Sequence, residues 1–243
     1  MLGRGGCGIV FKDQLFGNDV AVKTVVNSGR EAAKTLQEEI EILENNPSPY
    51  LVRLIATAGA KSDAPQLFFE YMDGGNLTSH LEKLARDEEA LATYTPIEIL
   101  WVVANALNDL HVKNVVHRDI KTDNILLSSK YYIKVGDVGI AKEESTNMTT
   151  GAGTSKWRAP EVLTSGSRYG TPADIYSFGI LLQTLYPNPT DASTEWAQAL
   201  AVKCTAIDPT RRPTAAELVD IFLPKLQSYG LECFAMYNLS CAL

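Results

Sequence analysis

Apolar and polar positions alternate through the first quarter of the chain. Residues 8–26 read as two strands around a Gly17-Asn18-Asp19 turn, with Ala21, Val22, Val25 and Val26 supplying the bulk that suits a pleated surface. The period then lengthens: Leu36, Ile40 and Leu43 share one face of a helix predicted over 30–45, which Pro47 and Pro49 end. Strand patterning returns over 51–59 and 65–71, and Asp73-Gly74-Gly75 follows as the best hinge candidate.

Beyond the hinge the pattern is mainly helical. A helix begins near Asn76. The next opens on Thr95, Pro96 and Glu98, a capping box with proline in the first turn, and carries the stripe Ile97, Leu100, Trp101, Ala104, Leu107 towards His111. Two short strands flank Ser128-Ser129-Lys130, buried helices are expected over 171–186 and 194–206, and Thr214 with Glu217 opens a last long helix. The chain reads as bilobal and α+β: a small antiparallel β lobe with one main helix (1–72), a larger α-rich lobe (73–228) and a tail (229–243).

Composition narrows the function classes. The 243 residues are 45% apolar and 21% charged, ordinary for a globular protein with a sizeable core. A net charge of −7 argues against nucleic acid or anionic membrane as the main partner. No stretch approaches the ~18 apolar residues of a membrane span, and the opening MLGRGGCGIVF lacks the apolar core of a signal peptide. Cys7, Cys204, Cys233 and Cys241 show no metal-ligand spacing and read as reduced thiols of a cytoplasmic protein. The triplets at Asn76, Asn147 and Asn238 that match a glycosylation acceptor are taken as chance.

The candidate chemistry lies in HRDIKTDN, residues 117–124. It sets a carboxylate (Asp119), a cation (Lys121) and a carboxamide (Asn124) at one turn, a set that suits phosphoryl transfer. Gly3, Gly5 and Gly8 have the spacing G-x-G-x-x-G, and a strand rather than a helix follows, so the loop can fold over phosphates. Lys23 sits on an otherwise apolar strand, and Glu39 lies on the inward face of the first helix. Pairing the two satisfies both charges and aims the ammonium at phosphate oxygens. Asp137, after the apolar strand Ile133-Lys134-Val135, is a hard oxygen ligand placed for Mg²⁺.

GRGGCGIV, AVK, HRDIKTDN, DVG, APE (159–161) and DIYSFG (174–179), in that order, resemble the signature set of the eukaryotic protein kinases over almost the whole chain. The resemblance implies ATP and Mg²⁺ as cofactors. Gly3, Gly5 and Gly8 would cover the phosphates, and Leu2, Val10 and Ala21 would wall the adenine. Phe69 falls at the gatekeeper position, Glu70 and Met72 would offer hinge backbone groups, and Asn76 would lie near the ribose. Lys23, oriented by Glu39, would bind the α/β-phosphates. Asp119 looks like the catalytic base and Lys121 the γ-phosphate cation, with Asn124 and Asp137 the metal ligands. Glu161 would pair with Arg212, and Asp174 would brace the catalytic loop.

Lys121 and Thr154 resemble the Ser/Thr-directed pattern, and KWRAPE echoes tyrosine kinases. That mixture resembles the tyrosine-kinase-like group of Ser/Thr kinases. The partners implied are a protein substrate with a Ser/Thr acceptor and an upstream kinase acting on Thr149 or Thr150, with Arg118 receiving the phosphate.

The chain also departs from the family pattern. It starts two residues before the glycine loop, as if its first strand were truncated, and Val138 replaces the usual Phe. Residues 187–193, PNPTDAS, stand where relatives carry a longer stretch with an extra helix. Valine is expected to underfill the space beside Leu43 and His117. These departures leave open an alternative, a pseudokinase that holds nucleotide or partners without turnover; a small-molecule phosphotransferase is a third reading.

Overall fold

The structure is a computed structural model that describes residues 1–5, 8–25, 30–88, 94–130, 132–138, 142–143, 155–163, 170–187 and 194–228. The N-terminal lobe is a five-stranded antiparallel sheet in the order β1-β2-β3-β5-β4. Its strands are β1 (Gly3–Gly5), β2 (Gly8–Leu15), β3 (Asn18–Thr24), β4 (Leu54–Ala58) and β5 (Gln66–Glu70). The β2–β3 hairpin turns at Phe16 and Gly17, both at positive φ (49° and 80°), one residue earlier than the expected turn. Two successive left-handed residues match the right-handed twist of the flanking strands.

The first strand, β1, is short, three residues long. β1 pairs with β2 from Gly3↔Val10 to Gly5↔Gly8, and Leu2 N–H extends the ladder to Val10 C=O at 2.8 Å. A backbone ladder needs no side chains, so glycines suffice. Gly8 has no substitute: its φ is 139°, and a Cβ there would stand 2.2 Å from the Thr24 carbonyl oxygen.

Helix α1 (Arg30–Asn45) spans the predicted residues and lays Leu36 and Ile40 against Leu67. Half-buried Val25, Leu54 and Phe69 close this small core. The segment after α1 is strapped to the second lobe. Val52 N–H donates to Val135 C=O (2.9 Å) and Val135 N–H to Tyr50 C=O (2.8 Å). Ser48 Oγ donates to Asp109 Oδ2 at 2.7 Å, and Lys113 Nζ donates to Asn45 C=O at 2.7 Å.

The second lobe carries α2 (Leu77–Ala85), α3 (Pro96–His111), α4 (Pro160–Leu163), α5 (Pro172–Leu185), α6 (Glu195–Cys204) and α7 (Ala215–Ser228). Its strands are β6 (Gly75–Asn76), β7 (Val115–Val116), β8 (Ile125–Ser128), β9 (Tyr132–Val135) and β10 (Lys142–Glu143). The hinge thus ends as a strand, β6, paired with β8, and Asp73 accepts from Ser128 Oγ (2.6 Å), Ser129 N–H (2.9 Å) and Ser129 Oγ.

The capping box at Thr95 forms as expected. The apolar stripe read on α3 is too narrow, however. Ile99, Val102, Val103 and Ala106 are buried too, because α7, α5, β7 and β9 surround the helix. The capping box of Thr214 and Glu217 also forms. Helices α5 and α6 approach so closely that a Cβ on Gly179 would come within 2.7 Å of Cys204 Cβ. Cys204 is buried and free, and burial pushes its thiol up to about 12; the other three cysteines lie outside the described residues. Among the described residues no helix is long and apolar enough to cross a membrane.

Val138 is 2% exposed and belongs to the main core, with Ile42 and Leu43 of α1 packed against that core. A larger side chain placed inside this core must displace its neighbours. Val138→Phe therefore overpacks the junction between the lobes, at a typical cost of about 1–3 kcal/mol. Melting temperature and turnover should both fall; a rise in both would mean that valine leaves usable space.

Candidate active site

The site forms where the two lobes face each other, and its charges are arranged around one ammonium. Lys23 Nζ, on β3, donates to both oxygens of Glu39 on α1 (2.8 and 2.7 Å) and to Asp137 Oδ1 beyond β9 (2.8 Å). Burial opposes the charge on Lys23, but the Glu39 and Asp137 carboxylates outweigh it and raise its pKa above the ordinary lysine value. Asp137 is the solvent-facing member of the trio, its side chain 42% exposed. Burial raises its pKa, yet Lys23, then His117 and Lys121, hold it below the usual carboxylate range.

The second cluster is the 117–124 turn. Asp119 Oδ2 accepts from Lys121 Nζ (2.6 Å) and Asn124 Nδ2 (2.9 Å). Asn124 Nδ2 also donates to the Asp119 carbonyl at 2.8 Å. Asp119 Oδ1 is buried and has no hydrogen-bond partner. Because the Asn124 amide nitrogen is committed to Asp119, its Oδ1 is turned away as a free-standing hard acceptor. Thr78 Oγ1 donates to Thr122 Oγ1 at 2.7 Å, tying α2 to the turn. Gly136 N–H donates to Asn124 C=O at 2.8 Å, so Asp137 follows directly on a residue bonded to the turn.

This turn is strained and needs an anchor. Arg118 has a φ of 74°, the left-handed region that side chains avoid, as does Asp137 (58°) beside the turn. Asp174, 1% exposed on α5, supplies the anchor. Its carboxylate accepts from His117 N–H (2.8 Å), Arg118 N–H (2.8 Å) and His111 Nε2 (2.9 Å). Farther along, Arg212 grips Glu161 through two parallel bonds of 2.6 and 2.8 Å.

The remaining expected residues divide. Val10 and Ala21 are half-buried, Leu2 is 48% exposed, and Met72 is buried at the hinge. Phe69 packs against the N-lobe core. Asn76 Oδ1 accepts from Ser79 N–H (2.9 Å) and caps α2. The Glu70 amide donates to Arg53 C=O, and its buried side chain accepts from Arg53 N–H (2.8 Å) and pairs with Lys134 (2.7 Å). Lys134 was missed because its strand reads as apolar; a lone lysine between Ile133 and Val135 was the signal, as it was for Lys23. Thr149, Thr150 and Thr154 lie outside the described residues.

A magnesium nucleotide fits these donors. Among the described residues no three His, Cys, Asp or Glu side chains form a metal cage. Asp137 and Asn124 offer one carboxylate and one carboxamide oxygen, the sparse hard set that Mg²⁺ completes with phosphates and water.

The family profile described as "Protein kinase domain" matches residues 1–190. The chain belongs to the protein kinase family. It is 32% identical over 236 residues to the leaf rust 10 disease-resistance locus receptor-like protein kinase-like 1.4 of Arabidopsis thaliana, covering 95% of this chain and 33% of that protein. It is 36% identical over 196 residues to the probable serine/threonine-protein kinase PBL22 of the same plant (76% of this chain, 50% of that protein). It is 31% identical over 261 residues to the probable serine/threonine-protein kinase drkD of Dictyostelium discoideum (95% and 20%). The chain thus spans between a fifth and a half of these relatives.

The kinase's anchor has a pH signature. Burial alone raises the Asp174 pKa, but the His111 bond, the charges of His111 and His117 and the Arg118 amide bring it below the ordinary value. A depressed carboxyl contributes its stability in full above its unfolded pKa of about 3.9 and loses it as pH falls through the lower folded pKa. Asp174→Asn should lower stability at neutral pH and flatten the acid limb below about pH 4. Denaturant melts across pH check this; superimposable acid limbs would contradict it.

Proposed function

We propose that the chain is an active, Mg²⁺-dependent kinase that transfers the γ-phosphoryl of ATP to Ser/Thr hydroxyls of proteins. The observation that carries this reading is the split role of Asp119. One oxygen is fixed by Lys121 and Asn124, while the other is buried and open. A carboxylate held in one orientation with one acceptor free is what a positioned base requires.

The residues then act as follows. The acceptor hydroxyl gives its proton to Asp119 Oδ1 as its oxygen bonds to the γ-phosphorus, and the bond to the β–γ bridging oxygen breaks. Lys121, on the other oxygen of the same carboxylate, sets a positive charge beside the group in transit. Lys23 holds the α/β-phosphates, and Glu39 keeps its ammonium aimed. Mg²⁺, held by Asp137 and Asn124 oxygens, would neutralise phosphate charge. We place this activity in the cytoplasm, in keeping with the reduced-thiol reading.

The direct test is incubation with Mg²⁺ and γ-labelled ATP, alone and with a generic basic protein, followed by phosphoamino-acid analysis. Label on Ser or Thr supports the reading. Nucleotide binding without transfer would make the chain a pseudokinase.

Asp137→Asn removes the charge that holds the ion and should abolish the Mg²⁺ dependence of ATP binding. Asp119→Asn should leave ATP affinity nearly intact and cut turnover by about 10²–10⁴-fold. Equal loss of ATP affinity in both variants would mean that these roles are misassigned.

The reading includes control by an upstream kinase at Thr149 or Thr150. A phosphate adds about −2 charge and strong acceptors, and Arg118 is braced by Asp174 beside the catalytic base. The double variant Thr149→Ala/Thr150→Ala should lose most activation; full activity with unchanged activation kinetics would count against this control.

A further inference from the structure

Among the described residues, a buried charge pair between the lobes is left unused by the reaction described above. Lys134 Nζ and Glu70 Oε1 stand 2.7 Å apart with side chains only 3% and 1% exposed. Glu70 ends β5 in the N-lobe, two residues before hinge residue Met72. Lys134 lies on β9 in the second lobe, three residues before Asp137. Arg53 N–H donates to the same Glu70 oxygen at 2.8 Å. It belongs to the strap whose Tyr50 carbonyl and Val52 amide bracket Val135. One carboxylate therefore joins the hinge strand, the strap and the strand that leads to the metal ligand.

Withdrawing two ions from water is costly, and well-packed apolar side chains commonly serve stability as well or better. What an ion pair adds is direction. The stretch from Lys134 to Asp137 is held to the N-lobe at both ends by pairs of opposite polarity: Glu70 with Lys134, and Lys23 with Asp137. Lys23 and Glu70 lie on adjacent strands, in register with Leu67 and Val20 respectively. A slip of this stretch by its own length would set Lys134 against Lys23 or Asp137 against Glu70. Like charges at either contact penalise the wrong register, so the pattern rejects alternatives as well as favouring the native one.

We propose that Glu70 and Lys134 are positioning residues for the metal ligand: their pair fixes the register of β9 against the hinge and so delivers Asp137 to Lys23. The proposal rests on the kinase reading for what Asp137 does, but the register itself belongs to the ligand-free chain.

The test compares Lys134→Met with the double variant Glu70→Leu/Lys134→Met. The single change leaves a buried carboxylate without its cation, and the melting temperature should fall steeply. The double change removes both charges, and the melting temperature should largely return. If the pair positions Asp137, the factor by which Mg²⁺ tightens ATP binding should still drop about tenfold in the double variant. In the ligand-free protein the amides of Val135 and Gly136 should exchange about tenfold faster, with those of α3 unchanged.

A double variant that recovers stability together with wild-type exchange and wild-type Mg²⁺ enhancement would overturn the proposal. Should it fail to fold, Glu70→Gln keeps an acceptor for Arg53 N–H and drops the charge. The same two losses are then expected, and their absence is equally decisive. A wild-type chain that does not bind Mg-ATP would sink the kinase reading instead, while exchange in the ligand-free protein still decides the register.

Discussion

One buried ammonium organises the molecule. Lys23 cannot sit among the apolar residues of β3 and α1 without counter-charges, and it meets two, one from each direction. Glu39 comes from α1, so satisfying the lysine fixes where that helix docks on the sheet. Asp137 comes from the second lobe, so the same lysine fixes where that lobe ends its approach. With both carboxylates at 2.7–2.8 Å, the charges define a single closed arrangement. Apolar packing alone tolerates sliding; three hydrogen-bonded ionic oxygens do not.

The second lobe solves a different problem. Its catalytic turn runs through left-handed backbone at Arg118, a conformation that persists only where the surroundings enforce it. Asp174 does so from a helix that also carries Phe178, itself fully buried and packed edge-on to Phe222 at 5.8 Å. The rigidity of the helical core is thereby passed to the turn through one carboxylate. The turn then fixes Asp119 through Lys121 and Asn124, and its other oxygen is left without a partner.

Much of this was legible in the sequence because the signals were local. Helix starts announced themselves by Thr95–Glu98 and Thr214–Glu217, and the hinge by two glycines. The Lys23–Glu39 pair followed from the cost of leaving either charge alone in an apolar setting, and the same reasoning could have found Lys134. What hides Lys134 is the apolar reading of its strand, together with a partner, Glu70, that lies far away in sequence.

The orientation of side chains with more than one use was not legible. Asn76 suits a helix cap as well as a sugar, and only the approach of Ser79 N–H shows the cap. The pairing of β1 was hard to see for a related reason, since glycines give a weak strand signal while their backbone pairs normally. The breadth of burial around α3 depends on what packs against it, which a single helix's period does not encode.

The central claim is that Asp137 and Asn124 present one metal site beneath a triphosphate anchored by Lys23. A crystal of the chain with Mn²⁺ and a non-hydrolysable ATP analogue tests it directly, since anomalous scattering locates the ion. The account predicts a peak about 2.1–2.2 Å from an Asp137 carboxylate oxygen and from Asn124 Oδ1, close to ideal octahedral distances, with Lys23 against the phosphates. A nucleotide bound with its metal on other residues, or Asn124 turned with its nitrogen towards the ion, would contradict it.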